Sequence, residues 1–357
     1  MKILVTGGSG FIGVSLVRHL IDVAGSEVVN VDKLTYAATP GALETYEKHS
    51  RYRFERADIC DAAAMNTLLQ RHEPDAVVHL AAESHVDRSI DAPAAFVQTN
   101  VVGTFTILEA VQHYWSRLPG VRAAAFRFLH VSTDEVFGSL GDTGTFSEAS
   151  RYDPNSPYAA TKAASDHLVR AWHRTYGVPV VITNCSNNFG PYQFPEKLIP
   201  LTILSAIEGR PIPVYGDGRQ VRDWLFVDDH ARALDVVLQR GEIGSTYNIG
   251  GGNERANIDV VRLICSALQR QLGHKLGDFG RYEDLITYVP DRPGHDRRYA
   301  IDSTKVRREI GWSPQESFES AIQRTVTWYL SHLDWVDETR KRGYRGERLG
   351  MIGAGAK

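Results

Sequence analysis

The sequence predicts an α/β fold: a doubly wound parallel sheet followed by a smaller mixed α/β lobe at the C-terminal end. Three observations predict it. Short β-branched runs alternate with helical patterns up to residue 184, a glycine cluster ends the first run, and prolines interrupt the chain afterwards. Strands covered by helices on both faces are continuously apolar, so we expect these runs to lie inside.

The elements follow one another along the chain. Continuous apolar runs predict five strands, at 3–5, 28–32, 75–81, 126–132 and 180–184. Amphipathic patterns predict helices between them, at 11–21, 93–114 and 156–176. The later lobe is predicted to contain short strands at 213–215, 225–227 and 247–249 and helices at 228–239, 257–271 and 318–330.

The composition excludes several classes of protein. The 357 residues are 43% apolar and 23% charged, which are ordinary values for a globular chain. A net charge of −3 offers no basic surplus for a nucleic-acid backbone, so no nucleic-acid partner is expected. The three cysteines lie far apart, which argues against a disulfide framework, and no metal-ligand cluster is apparent. Without a signal peptide or an apolar run of about 20 residues, we expect a cytoplasmic protein with no membrane contact.

A glycine-rich turn lies between the first strand and the first helix. Residues 7–13 read GGSGFIG, with glycines at 7, 10 and 13. Such a turn needs positive φ, close approach of the backbone to a pyrophosphate, and close packing of helix on strand. Asp32, at the end of the second strand, can accept hydrogen bonds from ribose hydroxyls and repel a 2′-phosphate. The sequence therefore predicts a Rossmann-type sheet that binds NAD.

Tyr158 and Lys162 are four residues apart on a predicted helix that Ser156 caps and Pro157 opens. They therefore share one helix face. A tyrosine acting as a base near neutral pH must lose about 3 units from its usual pKa of about 10. A nearby ammonium and a positive nicotinamide ring could together supply that stabilisation. The pair is predicted to move a substrate proton.

Two acids, Asp134 and Glu135, follow Thr133 directly at the end of the fourth strand. Epimerisation needs only the redox pair, whereas dehydration also needs a base for a carbon-bound proton and an acid for the leaving hydroxyl. The protonated acid would need a pKa about 3 units above its usual value of about 3.9. Burial and a like-charged neighbour both raise it. From spacing alone, both residues could equally be helix-capping or surface acids.

These motifs together resemble the extended short-chain dehydrogenase/reductase superfamily along nearly the whole chain. Within it, the Thr133-Asp134-Glu135 sequence is similar to the signature of the dTDP-glucose 4,6-dehydratase family. Longer runs point the same way, at 80–89, 184–188, 194–200, 222–225 and 291–300. Phe137 and Phe189 stand where many relatives carry Tyr.

The resemblance implies a reaction, dehydration of dTDP-glucose to dTDP-4-keto-6-deoxy-glucose for deoxysugar (for example rhamnose) biosynthesis. Tyr158 would take the C4 hydroxyl proton, Glu135 the C5 proton, and Asp134 would protonate the leaving C6 hydroxyl. NAD would oxidise C4 and reduce C6 in one turnover, remaining bound as a prosthetic group. Lys162 would bridge tyrosine and ribose, and Thr133 would complete the triad.

The resemblance also implies two binding sets beside the catalytic residues Thr133, Asp134, Glu135, Tyr158 and Lys162. The cofactor set is Gly7, Gly10, Phe11, Ile12, Gly13, Asp32, Lys33, Leu34, Thr35, Asp58, Ile59, Leu80, Ala81, Ala82, Glu83, Ser84, Thr99, Tyr158, Lys162 and Asn188. The substrate set is Ser84, Thr133, Asn187, Lys197, Leu198, Pro213, Val214, Tyr215, Arg222, Asn257, Asp291, Arg292, Pro293, Gly294 and His295.

The chain divides into two predicted domains. Residues 1–184 form the NAD-binding domain, to which about 220–250 and 297–335 contribute; residues 185–335 are mainly the substrate lobe, and 336–357 a solvated tail. By analogy with relatives, helices 93–114 and 156–176 would pair two copies into a homodimer through a four-helix bundle.

Other hypotheses remain open at this point. The chain could be a UDP- or GDP-sugar 4,6-dehydratase, a 4-epimerase, or a non-catalytic NAD-binding scaffold. The adjacent acids argue against the epimerase, and the intact Thr133, Tyr158 and Lys162 argue against the scaffold.

Overall fold

The computed structural model describes residues 1–273 and 280–341. In that part of the chain the β-strands are β1 (Lys2–Thr6), β2 (Glu27–Asp32), β3 (Tyr52–Arg56), β4 (Ala76–His79), β5 (Arg127–Thr133), β6 (Val180–Cys185), β7 (Asn187–Phe189), β8 (Ile212–Tyr215), β9 (Val221–Phe226), β10 (Thr246–Ile249), β11 (Glu254–Ala256) and β12 (Ile286–Val289). The α-helices are α1 (Phe11–Asp22), α2 (Ala62–His72), α3 (Val86–Asp91), α4 (Pro93–Phe96), α5 (Gly103–Trp115), α6 (Gly120–Ala125), α7 (Pro157–Tyr176), α8 (Leu198–Ile207), α9 (Val227–Arg240), α10 (Asn257–Leu272), α11 (Thr304–Ile310), α12 (Phe318–Ser331) and α13 (Leu333–Lys341).

The central sheet is parallel and has seven strands in the order β10-β6-β5-β4-β1-β2-β3. This confirms the predicted fold class, and all five predicted strands of the first part are present within a few residues. The order reverses between β1 and β4, which pair from Ile3 with Ala76 to Thr6 with His79. Ligands of open α/β sheets bind at such a switch point, beyond the carboxyl ends of the strands.

Helices cover both faces of this sheet. On one face α1 and α9 pack together, and Leu16, Val17 and Leu234 are fully or almost fully buried in the cluster between helices and strands. On the other face α2, α5 and α7 pack around Leu108 and Phe128, which are fully buried. Burial on both sides explains why the strands read as continuous apolar runs.

The smaller lobe has a core of its own. A three-stranded sheet, β11-β9-β7, and the pair β12-β8 surround an apolar cluster shared with α8, α10 and α12. The strand predicted at 247–249, within the segment 220–250 expected to contribute to the first domain, joins the central sheet as β10 and pairs with β6. Residues 336–341 of the predicted tail belong to α13, where Val336 is buried, and 342–357 lie outside the described residues.

The helical run Pro93–Trp115 consists of α4, a π-helical segment at Val97–Val102, and α5. By length and composition alone it could cross a membrane, yet 56% of its most apolar window is buried in the fold. It packs against α2 and α7 as a core helix. The π-helical segment contains Thr99 and Asn100, and such segments often mark functional sites.

Candidate active site

The glycine turn has the geometry that its sequence predicts. Gly7 has φ of +73°, and a Cβ on Gly13 would lie 2.2 Å from the Gly7 carbonyl oxygen. The helix α1 can therefore sit directly on the turn only because position 13 has no side chain. Gly10, the N-cap residue of α1, has no side chain to cap the helix, so the first N–H groups of α1 are left for a ligand.

Asp32, at the end of β2, contacts this turn through its side chain. Its carboxylate accepts hydrogen bonds from the Ser9 N–H at 3.0 Å and the Leu34 N–H at 2.8 Å. Burial raises the pKa of Asp32, and the two N–H donors oppose that effect. The Lys33 ammonium lies 3.4 Å from both Asp58 Oδ2 and Thr99 Oγ1, which links the ends of β2 and β3 to the π-helical segment.

A cavity of about 290 Å³ runs from the glycine turn, past the end of β5 and the start of α7, to residues 194–197. It brings together most of the predicted cofactor and catalytic residues and part of the substrate set. The predicted residues that line it are Gly7, Gly10, Phe11, Ile12, Gly13, Asp32, Lys33, Thr35, Ile59, Leu80, Ala81, Ala82, Glu83, Ser84, Thr99, Thr133, Asp134, Glu135, Tyr158, Lys162, Asn187, Asn188 and Lys197. Leu34 and Asp58 are adjacent to lining residues without lining the cavity themselves.

Tyr158 and Lys162 lie on the cavity side of α7. The Ser156 hydroxyl caps this helix by accepting from the Ala159 N–H at 3.1 Å, and Pro157 is its first residue, as predicted. Both side chains are buried, and the Lys162 ammonium donates to the Val131 carbonyl at 2.9 Å. Burial raises the pKa of Tyr158 well above its usual value, Glu135 raises it further, and a hydrogen bond with Thr133 lowers it. Its use as a base therefore requires added positive charge nearby.

Thr133, Asp134 and Glu135 stand where β5 ends and a 3₁₀ turn, Asp134–Phe137, begins. The Thr133 hydroxyl caps this turn by accepting from the Glu135 N–H at 3.3 Å. Asp134 is 1% exposed, and its Oδ2 has no hydrogen-bond partner among the described residues. Burial, then the charges of Glu135 and Asp223, raise the pKa of Asp134 well above its usual value, which favours the protonated acid.

Glu135 lies in a different electrostatic environment from its neighbour. Burial raises its pKa too, but Arg292, Arg222 and Lys197 oppose that effect. Two adjacent carboxyl groups whose surroundings separate their pKa values are suited to divided acid and base roles. The three cations come from the smaller lobe, so both lobes contribute to one site.

The remaining predicted substrate residues cluster on the smaller lobe. The buried Arg222 guanidinium donates to the Asp296 carbonyl at 2.9 Å and lies 4.3 Å from the centre of the Tyr299 ring. Arg292 pairs with Asp87, and His295 bonds Asp291 at 2.6 Å. Others lie on neighbouring elements outside the cavity lining: Leu198 on α8, Pro213, Val214 and Tyr215 on β8, Asn257 on α10, and Pro293 and Gly294 between Arg292 and His295. Val214 is 1% exposed and packs in the lobe's core.

The structure adds cavity residues that the sequence did not assign to the site. Tyr36, Phe194 and Glu196 line the cavity. The Glu196 carboxylate forms an ion pair with Arg88, whose two nitrogens each lie 2.9 Å from Oε2. The Arg88 guanidinium also lies 4.0 Å from the centre of the Tyr36 ring. These contacts join segments up to 108 residues apart in sequence, so residue spacing could not reveal them.

Comparison with known proteins agrees with this geometry. The family model described as GDP-mannose 4,6 dehydratase matches residues 4–325. The dTDP-glucose 4,6-dehydratase of Neisseria meningitidis serogroup B is 58% identical over 98% of this chain and 99% of its own length. The dTDP-glucose 4,6-dehydratase 1 of Escherichia coli K12 is 57% identical over 97% of each chain. This chain belongs to the dTDP-glucose 4,6-dehydratase family.

Solved structures of related enzymes have the same fold as this chain. DesIV, a dTDP-glucose 4,6-dehydratase of Streptomyces venezuelae crystallised with NAD, superposes with a TM-score of 0.86 at 44% identity, covering 95% of this chain and 100% of its own. A Thermus thermophilus UDP-glucose 4-epimerase, also with NAD, reaches 0.80 at 26% identity, covering 93% of this chain and 100% of its own. Dehydratase and epimerase thus share the fold, and the acid pair Asp134 and Glu135 after β5 is the feature that favours dehydration here.

Proposed function

We propose that this chain catalyses the NAD-dependent dehydration of dTDP-glucose to dTDP-4-keto-6-deoxy-glucose, a hydro-lyase reaction that supplies deoxysugar biosynthesis. One observation carries the proposal: the buried Asp134 and the half-buried Glu135 open onto the same cavity as Tyr158 and Lys162. An epimerase or a scaffold has no use for such a pair. Relatives named for this reaction are 54–58% identical over nearly the full chain.

The residues around the glycine turn fit NAD. Gly7, Gly10 and Gly13 line the cavity where a pyrophosphate would lie, and α1 offers its first N–H groups there. The Asp32 carboxylate is placed for ribose hydroxyls and repels a 2′-phosphate. When bound, NAD supplies reversible oxidation at C4 and reduction at C6 of the sugar.

The chain's own residues move the protons. Tyr158 takes the proton of the C4 hydroxyl, and the ammonium of Lys162 offsets the effect of burial on the phenol. The C4 ketone acidifies the C5 hydrogen, which Glu135 removes, and a proton returns to C5 when C6 is reduced. Asp134 is held protonated and gives its proton to the C6 hydroxyl, which leaves as water.

The smaller lobe holds the nucleotide in this proposal. Lys197, Arg222 and Arg292 supply cationic partners for the diphosphate, and His295 lies edge-on to the Tyr215 ring, with ring centres 6.3 Å apart. The domain limits predicted from sequence, 1–184 and 185–335 with later segments returning to the first domain, are part of the same proposal.

The enzyme is proposed to be a cytoplasmic homodimer with no nucleic-acid or membrane partner. In support of the dimer, α5 and the π-helical segment expose Phe105 by 44% and Val102 by 37%, and α7 ends with Tyr176 exposed by 48%. Apolar side chains on two neighbouring helices favour pairing with a second copy.

The test is to incubate the purified protein separately with dTDP-glucose, UDP-glucose and GDP-mannose and to follow each nucleotide-sugar by mass spectrometry. We expect loss of one water from dTDP-glucose, much faster than from the other two. Asp134→Asn serves as the matched inactive control. Absence of water loss from dTDP-glucose, with NAD present in the protein, would overturn the proposal.

A further inference from the structure

We propose that Asp166, which the cavity does not include, is a positioning residue that keeps Lys162 in its ammonium form and fixes the strand ends that present the acid pair. This inference rests on the proposed function and adds to it a residue that touches neither substrate nor cofactor. Asp166 follows Lys162 by four residues on α7, so the two side chains share one helix face.

The Asp166 carboxylate is completely buried and receives three donors. His130 Nε2 lies 3.1 Å from Oδ1, the Tyr152 hydroxyl donates to Oδ2 at 2.7 Å, and the Asn184 amide donates to Oδ2 at 3.3 Å. A buried carboxylate that accepts several hydrogen bonds is stabilised in its ionised form. Burial alone would raise the pKa of Asp166, but His130, Lys162 and Tyr152 together hold it below its usual value.

These contacts tie α7 to both strands beside it. His130 belongs to β5, and the Asn184 amide on β6 donates a second time, to the Thr133 carbonyl at 3.0 Å. The Lys162 ammonium donates to Val131 on β5 at 2.9 Å. One carboxylate thus sets the position of α7, which presents Tyr158, relative to the end of β5, which presents the acids.

The charge of Asp166 matters because Lys162 is almost fully buried. Burial lowers the pKa of Lys162, and Asp166 is the foremost charge that opposes it. Other titratable or charged groups act on the pair itself, namely His79 on β4, His130 on β5, Tyr152 before α7 and Cys185 on β6. Further groups act on their neighbours: Arg170 on His130, and Asp134 and Glu135 on Tyr158.

The two buried histidines do not replace this charge. Burial lowers the pKa of His130 to about 4, and the pKa of His79 also falls well below its usual value, so both rings are neutral near pH 7. Cys185 has a pKa raised to about 12 by burial and is a neutral thiol there. Asp166 is therefore the anion that balances Lys162 behind the cavity, whereas Glu135 already faces the cations of the smaller lobe.

The experiment compares pH–rate profiles of the full-length protein and three variants. Asp166→Asn keeps the size and one acceptor oxygen but removes the charge, and Asp166→Glu restores the charge. Tyr152→Phe removes one hydrogen bond and leaves the carboxylate. We expect the alkaline limb of the pH–rate profile of Asp166→Asn to move to lower pH by about one to two units, because the variant loses a unit charge one helical turn from Lys162. The limbs of Asp166→Glu and Tyr152→Phe should stay within about half a unit of the parent.

A second readout needs neither substrate nor turnover. The rate at which an amine-acylating reagent modifies Lys162 is followed against pH by peptide mass spectrometry, in the parent and in each folded variant. The rate should rise at lower pH in Asp166→Asn than in the parent. A parent Lys162 that already reacts as a free amine at neutral pH overturns the inference, even if Asp166→Asn fails to fold.

The outcomes separate this inference from the proposed function. A parent that dehydrates dTDP-glucose while Asp166→Asn keeps the parent limb and the parent acylation profile overturns only the inference. Equal shifts in Tyr152→Phe and Asp166→Asn also overturn it, because packing would then be the cause. A parent that leaves dTDP-glucose intact overturns the proposed function, and the acylation profile still decides the role of Asp166.

Discussion

Replacing Asp134 with Asn should separate oxidation of the sugar from loss of water. The side chain is 1% exposed, and its Oδ1 lies 3.4 Å from the Thr133 hydroxyl, so an amide of the same shape fits the site. Because burial and the charge of Glu135 raise the pKa of Asp134 and favour its neutral acid, the substitution exchanges one neutral group for another. Unfolding free energy should therefore change by only about 1 kcal/mol or less.

The catalytic effect should be much larger. The amide cannot give a proton to the C6 hydroxyl, and a positioned general acid contributes about 10²–10⁴ in rate. We expect turnover to fall by roughly that factor, while Tyr158 and Lys162 continue to oxidise C4. Single-turnover experiments should show near-ultraviolet absorbance of the reduced dinucleotide appearing at the parent rate and then persisting.

Two controls make this result specific. Asp217→Asn makes the same change at an exposed side chain on the smaller lobe and should leave every step unchanged. Glu135→Gln should instead abolish exchange of the C5 hydrogen with solvent deuterium. Parent-level water loss by Asp134→Asn would refute the acid role, and loss of C4 oxidation in that variant would refute the division of labour between the residues.

Three further predictions follow from other parts of the structure. Gly13→Ala should lower retention of NAD by at least about tenfold, because its Cβ would lie 2.2 Å from the Gly7 oxygen. Retention is measured as dinucleotide released from the purified protein, with Gly120→Ala as the control, since a Cβ there would meet no atom within 4 Å. Equal retention in the two variants would contradict the role of the turn. Burial lowers the pKa of His230 from 6.5 to about 3, so its contribution to stability is complete above pH 6.5 and is lost as pH falls towards 3. Chemical denaturation should show the unfolding free energy falling across that window by up to about 1.4 kcal/mol per pH unit, and falling less steeply in His230→Gln. Parallel plots of unfolding free energy against pH for parent and variant would show that His230 is not the cause. Phe105→Asp should dissociate the proposed dimer in sedimentation experiments, whereas Val121→Asp, at a side chain 86% exposed on α6, should not; a monomeric parent would refute the interface.

The central sheet was predictable because it is buried on both faces. Continuous runs such as 28–32 and 180–184 have no solvent-facing positions, so their pattern gives the strands and their parallel class directly. The edge strand β3 was not predicted, because Arg53, Glu55 and Arg56 make its sequence resemble a loop. Charged residues on an outer strand prevent pairing with other chains, and the same residues conceal the strand in the sequence.

The candidate site was predictable wherever its residues form a local motif. The glycine turn, the acid pair, and Tyr158 with Lys162 each lie within a few residues, and the structure brings all three to one cavity. Glu196 and Asp166 were not predicted as site residues, because their partners come from distant segments. Asp166 meets His130 across 36 residues and Glu196 meets Arg88 across 108, and these pairings exist only after folding.

The position of β10 late in the sequence constrains how the central sheet can fold during translation. β10 closes the sheet beside β6, although the smaller lobe's first elements, β7 to β9, are translated between them. A nascent chain that has emerged only as far as residue 184 would expose β6 as an open edge whose six residues are all buried in the finished protein. Cotranslational folding must therefore wait for about sixty more residues, and truncations between β6 and β10 should aggregate rather than yield a free dinucleotide-binding domain.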